Sequence, residues 1–134
     1  MTYNKPLPAV TPVNKEFWDA AKAGVLEVPR CPVCRKLFFP PRPLCPFCLQ
    51  EPIEWVKVSG KGKVYSYTVV HRASSPGFQR EAPYVFAIVE LQEGPRITSN
   101  VINCRPSAVR VGMPVQVVFQ RATDDITLPK FAPS

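Results

Sequence analysis

The chain has 134 residues, enough for one domain or for one domain with a small attached module. Its hydrophobic fraction of 46% is ordinary for a globular protein, and no apolar run approaches the roughly 20 residues that a transmembrane helix needs. The formal net charge of +7 favours an anionic partner or ligand, but the basic residues form no run of the kind that marks a nucleic-acid-binding tail.

The N-terminal segment, residues 1–29, is predicted to be an extended arm followed by a short helix. Met1–Val10 contains two prolines and shows no periodic pattern. It also lacks the apolar stretch that a signal peptide contains, so we expect the protein to be cytoplasmic.

The helix is predicted from its end signals and its apolar face. Thr11 and Pro12 favour a start there, with a hydroxyl N-cap followed by proline at the first helical position. Gly24 favours the end of the helix. Phe17 and Trp18 lie on its apolar side, which packs either on the chain's own core or against a partner.

Residues 30–52 carry the most specific pattern in the sequence, because Cys31, Cys34, Cys45 and Cys48 have the spacing C-x2-C-x10-C-x2-C. Two residues between paired cysteines form a tight knuckle that turns both sulfurs toward one point, and two knuckles supply a tetrahedron of thiolates. Thiolates select zinc or iron; we favour one structural Zn²⁺ per chain, although a rubredoxin-like iron site has the same ligands. A site closed by four thiolates has no open position for water, so this metal is expected to stabilise the fold.

The remaining reactive residues do not suggest a catalytic set. A nucleophile–base pair would have to use Cys104 and His71, the fifth cysteine and the only histidine. Lone cysteines are usually small core residues. The glycines at 60 and 62 are too closely spaced for a phosphate-binding loop and favour a turn over residues 59–62. We therefore expect the chain not to be an enzyme.

Residues 53–134 are predicted to form a small β-barrel with a C-terminal tail. Five segments have strand-like patterns: 53–58, 64–70, 84–91, 96–102 and 115–120. Five short strands favour a closed or partly open barrel, and an OB-fold and an SH3-like barrel both fit that count. One helical turn is expected over 104–109, and the pattern is lost from residue 121 onward.

Together these features resemble a family of small bacterial and archaeal proteins that are usually encoded beside thiolase-like or acyl-CoA hydratase-like enzymes. The matching segments are Phe17–Ala20, the two cysteine pairs, Pro40–Arg42, Trp55, Ser59–Gly62, Val69–His71, Val89–Leu91, Gly112–Val115 and Leu128–Phe131. The resemblance implies a mainly β fold with an N-terminal helix, a rubredoxin-like zinc ribbon and a five-stranded OB-fold barrel.

The resemblance also implies a function, that of an accessory subunit that docks on a thiolase-fold enzyme. Such enzymes are thiolases, acyltransferases and retro-aldolases that act on acyl-CoA thioesters. Apolar residues of the helix, ribbon and tail are the expected partner contacts: Phe17, Trp18, Phe38, Phe39, Leu128 and Phe131.

A further implication of the resemblance is that the barrel holds the nucleotide end of coenzyme A. The expected phosphate contacts are Lys61, Lys63, Arg72 and Arg80. Tyr65 and Tyr67 either stack on the base or face the core. The alternative from a different functional class is a module that binds single-stranded nucleic acid, because OB-folds with basic strands and exposed aromatic residues do so. The scattered basic residues and the likeness along the whole chain favour the accessory subunit.

Overall fold

A computed structural model describes residues 8–71 and 82–134. Within these ranges the chain forms one α-helix, a two-stranded sheet and a closed five-stranded barrel, which confirms the predicted fold class. The elements in chain order are α1 (Lys15–Lys22), β1 (Glu27–Arg30), β2 (Glu54–Lys57), β3 (Lys61–Val70), β4 (Tyr84–Leu91), β5 (Arg96–Val101), a 3-10 turn (Pro106–Ala108), β6 (Pro114–Arg121) and β7 (Thr127–Pro133). No helix in the described ranges has the length and apolar content needed to cross a membrane.

Helix α1 begins later than the sequence predicts, at Lys15 instead of Pro12. Thr11 and Asn14 close a separate turn before it: the Thr11 N–H donates to Asn14 Oδ1 at 2.7 Å, and the Asn14 N–H donates to the Thr11 carbonyl at 3.2 Å. Asn14 therefore takes the N-cap position. The predicted end is confirmed, since Gly24 has φ +80° and its N–H donates to the Ala21 carbonyl.

The first strand predicted for the barrel lies outside it, in the separate two-stranded sheet. Strand β2 pairs antiparallel with β1, in a register that sets Val28 opposite Val56 and Pro29 opposite Trp55. These two strands flank the cysteine segment and bring its ends together. The division of the chain at 29/30 and 52/53 stays a prediction.

The C-terminal tail supplies the fifth barrel strand, so the expectation of a patternless tail is wrong. The barrel order is β3-β4-β5-β7-β6, and β7 closes it between β5 and β6. Phe131 pairs with Val117 of β6 and with Val101 of β5, and its carbonyl accepts from the Ile102 N–H at 2.7 Å. Proline and lysine interrupt the apolar alternation of this segment, which hides the strand from a pattern search.

One hydrophobic core joins all three parts of the chain. In β4, Val85, Ala87, Val89 and Leu91 point inward, so the strand predicted over residues 84–91 alternates between the core and the outside. Phe17 from the helix and Leu26, Val28 and Val58 from the ribbon belong to the same buried cluster as these barrel residues. The helix and the ribbon are therefore packed onto the barrel.

Strand β7 provides a direct test of this architecture. Phe131 is 0% exposed, and we expect Phe131→Ala to lower the free energy of unfolding by about 3–5 kcal/mol because it leaves a cavity in the core. Denaturant unfolding measures the change. The control Val111→Ala alters a side chain that is 67% exposed and should change stability by at most about 0.5 kcal/mol. Wild-type stability of Phe131→Ala would contradict the placement of the tail in the barrel.

Candidate metal centre

The first cysteine knuckle is a tight turn held by its own backbone. The Arg35 N–H donates to the Cys31 carbonyl at 2.8 Å, and the Cys31 N–H donates to the Lys36 carbonyl at 3.0 Å. A further N–H, that of Cys34, points at the Cys31 sulfur at 3.4 Å. Closing this turn requires a left-handed backbone at Arg35, whose φ is 64°.

The second knuckle repeats the first, fourteen positions further along the chain. The Leu49 N–H donates to the Cys45 carbonyl at 2.9 Å, and the Cys45 N–H donates to the Gln50 carbonyl at 3.0 Å. The Phe47 N–H points at the Cys45 sulfur at 3.3 Å, and Leu49 has φ 62°. Two copies of one turn thus present four sulfurs in the same manner.

The four sulfurs converge on one point and lie within 4.8 Å of one another. Cys31 Sγ is 3.5 Å from Cys48 Sγ, and Cys34 Sγ is 3.6 Å from Cys45 Sγ. A tetrahedron with metal–sulfur bonds of about 2.3 Å has edges of about 3.8 Å, close to these distances. Disulfides, at about 2.05 Å, are excluded for these pairs. The geometry therefore suits one tetrahedral metal ion.

The electrostatics of the cluster favour a cation. The N–H of Cys34 is the main reason that the pKa of Cys31 falls to about 6. The Gln50 N–H acts in the same direction on Cys48, but burial and the neighbouring sulfurs together raise the pKa of Cys48 to about 12. Thiols this close cannot all ionise on their own, and a divalent cation removes the conflict by displacing their protons.

The predicted partner contacts fall into two groups. Phe17, Phe38 and Phe131 are buried within the chain, which does not favour them as partner contacts, and Phe17 packs on the chain's own core. Trp18, Phe39 and Leu128 instead line a pocket of about 320 Å³ between α1 and the barrel strands β4, β5 and β7. The Phe17 ring lies at the back of this arrangement, 4.9 Å from the Trp18 ring and 5.2 Å from the Phe39 ring, measured between centroids.

The predicted coenzyme A contacts are only partly described. Lys61 and Lys63 line an open groove of about 340 Å³ on the barrel, and Lys63 pairs with Glu90 at 3.7 Å. Arg72 and Arg80 lie outside the described residues. The role of all four residues stays a prediction.

The two tyrosines of β3, Tyr65 and Tyr67, both have solvent-exposed rings. The register shifts between Val64 and Ser66, so Tyr65 lies at the irregularity and Tyr67 pairs with the buried Ala87. The Arg96 guanidinium lies 3.7 Å from the centroid of the Tyr65 ring. The tyrosines are therefore surface residues.

Three exposed apolar side chains at the knuckle tips escaped the sequence analysis: Val33, Phe47 and Leu49. A position inside or just after a C-x2-C pair is the signal that could have found them. Short knuckles have no interior, so a large apolar residue in one is forced outward.

A closed site of four thiolates on two knuckles, attached to a five-stranded barrel, defines a zinc-ribbon and OB-fold protein. Residues 18–53 match the family model described as "ChsH2, rubredoxin-like zinc ribbon domain", and residues 55–120 match "ChsH2, C-terminal OB-fold domain". The chain belongs to this ChsH2 family. The zinc ribbon match and the four knuckle cysteines, which are positioned to bind one metal ion, confirm the predicted structural zinc.

Relatives of the chain carry names from acyl-CoA metabolism. A DUF35 domain-containing scaffold protein of Methanocaldococcus jannaschii is 48% identical over 97 residues, which are 72% of this chain and 68% of that protein. A probable enoyl-CoA hydratase alpha subunit of Thermomonospora curvata is 40% identical over 97% of this chain, which spans only 40% of that subunit's length. The benzoylsuccinyl-CoA thiolase subunit BbsA of Thauera aromatica is 36% identical over 67% of this chain and 62% of that subunit.

A solved structure agrees with the sequence matches. A chain of the Ltp2-ChsH2(DUF35) aldolase superposes with a TM-score of 0.86 at 40% identity, covering 95% of this chain and 98% of that one. The similarity therefore includes the helix, the ribbon and the barrel together.

The metal centre generates a prediction about composition and stability. We expect elemental analysis of the purified, reduced protein to find one zinc per chain, and Cys45→Ser to lose the metal and destabilise the ribbon, since metal binding and folding are coupled. Cys104→Ser, which changes the cysteine outside the cluster, is the control and should keep the zinc. A folded, reduced protein without metal would contradict the assignment.

Proposed function

We propose that the chain is a non-catalytic, zinc-binding accessory subunit that docks on a thiolase-fold enzyme acting on acyl-CoA thioesters. The observation that carries this proposal is the superposition on a chain of the Ltp2-ChsH2(DUF35) aldolase. That chain is 98% covered and therefore has nearly the same size and the same parts as the present one. The name of the aldolase includes a second component, Ltp2.

The names of the relatives support an accessory role in acyl-CoA chemistry. One relative is called a scaffold protein, and two others are called subunits of enzymes whose substrates are CoA thioesters. The hydratase subunit is more than twice as long as this chain, so its activity belongs to a larger protein. All three names describe a protein that is part of a larger protein or of a complex with other subunits.

The chemistry of the described residues supports a non-catalytic role. The metal site is closed by four thiolates and offers no coordination position to a substrate. Cys104 follows β5 and His71 follows β3, and neither belongs to the group of potential metal ligands found in the described ranges. A subunit of this kind contributes contacts and stability to its partner's active site.

Two surfaces of the barrel are proposed to meet the partner or its substrate. Trp18, Phe39 and Leu128 give the pocket beside α1 an apolar lining that suits a protein contact. Lys61 and Lys63 place positive charge along an open groove, which suits the phosphates of coenzyme A.

Assembly is the first test of the proposed function. Co-expression with a thiolase-fold enzyme of the same organism should give one heteromeric peak in size-exclusion chromatography, and the enzyme should lose activity or solubility when the chain is omitted. Separate elution of the two proteins, with full activity of the enzyme alone, would contradict the proposal.

The absence of a catalytic role is tested inside the assembled complex. We expect Cys104→Ala and His71→Ala each to leave kcat/KM within about twofold of wild type, because neither residue is proposed to touch the reacting atoms. Cys45→Ser is the contrasting variant and should lower the yield of complex. A large fall in kcat for a stable Cys104→Ala complex would identify that thiol as a catalytic residue.

A further inference from the structure

We infer that the partner subunit docks on the tips of the two zinc knuckles, and that it presents there an apolar patch bordered by carboxylates. The inference rests on the proposed accessory-subunit function. The docking face, called the knuckle surface below, consists of Val33, Arg35, Lys36, Arg42, Phe47 and Leu49.

The knuckle surface concentrates exposed apolar side chains. Val33 is 65% exposed, Phe47 57% and Leu49 70%. The loops that carry them are held together at the metal site, where sulfurs of opposite knuckles lie 3.5 and 3.6 Å apart. Grouped exposed apolar residues of this kind mark interaction sites more often than they mark bare surface.

The backbone conformation at two of these positions indicates that their side chains contact another molecule. Arg35 and Leu49 follow the second cysteine of each knuckle and have φ 64° and 62°. Glycine adopts this conformation freely, whereas other residues strain the backbone there. An exposed leucine in such a conformation adds nothing to the core, so the benefit of its side chain lies in a contact that the isolated chain does not make.

The charge around the apolar tips selects the kind of partner. Residues 31–50 contain three basic residues, Arg35, Lys36 and Arg42, and no Asp or Glu. All three are exposed, whereas the sulfurs of Cys31 and Cys45 belong to fully buried residues, so the charge at the surface is positive even with a zinc tetrathiolate of net charge −2 behind it. Carboxylates are the complementary groups on a protein.

Two of the cations lie beside the aromatic tip, Phe47. Lys36, which follows the first knuckle, places its Nζ 4.8 Å from the ring centroid of Phe47 in the second. Arg42 and Phe47 line a shallow groove of about 420 Å³ that continues to Arg96 on the barrel. Guanidinium groups beside an aromatic ring can bind carboxylates with two parallel hydrogen bonds.

The composition of the tips favours a protein over a nucleic acid. Single strands are held by several aromatic rings on which successive bases stack. The knuckle surface has a single ring, Phe47, with a lysine amine over it, and its other apolar members are the aliphatic Val33 and Leu49. Aliphatic side chains with a basic border are typical of a protein interface.

The test measures binding to the co-expressed thiolase-fold subunit with three knuckle variants. Leu49→Gly should keep one zinc per chain and a Tm no lower than that of wild type, because it removes the strain, yet weaken the complex about tenfold. Phe47→Glu should weaken the complex further than Phe47→Lys, since only the glutamate repels carboxylates. Val111→Glu places the same charge on a side chain that is 67% exposed outside the ribbon, and should bind as wild type does.

The possible results separate the inference from the proposed function. If wild type fails to bind, the accessory-subunit proposal fails together with the inference. If wild type binds and the knuckle variants bind equally well, only the inference is overturned. If Phe47→Glu and Phe47→Lys weaken the complex equally, the inferred carboxylates on the partner are ruled out. Sub-micromolar binding of a fluorescent oligo(dT) strand that Phe47→Glu abolishes would assign the surface to nucleic acid and overturn the inference.

Discussion

The convergence of four thiolates is the interaction on which the rest of this structure depends. The loops between β1 and β2 contain few buried side chains apart from Phe38 and the cysteines themselves, so they cannot be held by hydrophobic packing alone. Backbone hydrogen bonds shape each knuckle but do not join one to the other. The four sulfurs make the join, since they lie within 4.8 Å of one another in an arrangement that could hold one metal ion. In these loops the metal site thus provides the stabilisation that a hydrophobic core provides elsewhere.

The pairing of β1 with β2 transmits this local order to the barrel. Val58, just after β2, donates its N–H to the Leu26 carbonyl at 2.9 Å, and both side chains enter the buried cluster that includes the barrel strands. Phe17 brings the helix into the same cluster. Shared burial of this kind leaves little freedom between ribbon and barrel, so surfaces on both can meet one partner in a fixed geometry.

The sequence predicted the metal ligands and the fold class because both depend on local patterns. The cysteine spacing encodes the knuckles directly, and strand-like segments bounded by turn residues reveal β3 to β6. These local patterns do not reveal which strands pair with each other. Residues 53–58 were assigned to the barrel and the tail was left out, and these two errors cancel in the strand count. Pro129 and Lys130 made β7 look like a loop, although Lys130 is buried and donates to Asn100 Oδ1.

The sequence also does not predict which apolar residues are exposed to a partner, because exposure depends on the fold and not on residue type. Phe38 and Phe131 look suited to an interface in the sequence and are buried, whereas Leu49 attracts no notice there and is highly exposed. What marks Leu49 is a left-handed backbone beside the ligand Cys48, and the corresponding residue beside Cys34 is Arg35. The N–H groups of Arg35 and Leu49 close the two knuckle turns by donating to the Cys31 and Cys45 carbonyls, so the turn that aims the sulfurs at one point also fixes the backbone of these neighbours. The geometry that suits a metal ion therefore also determines where the exposed side chains of the knuckle tips point.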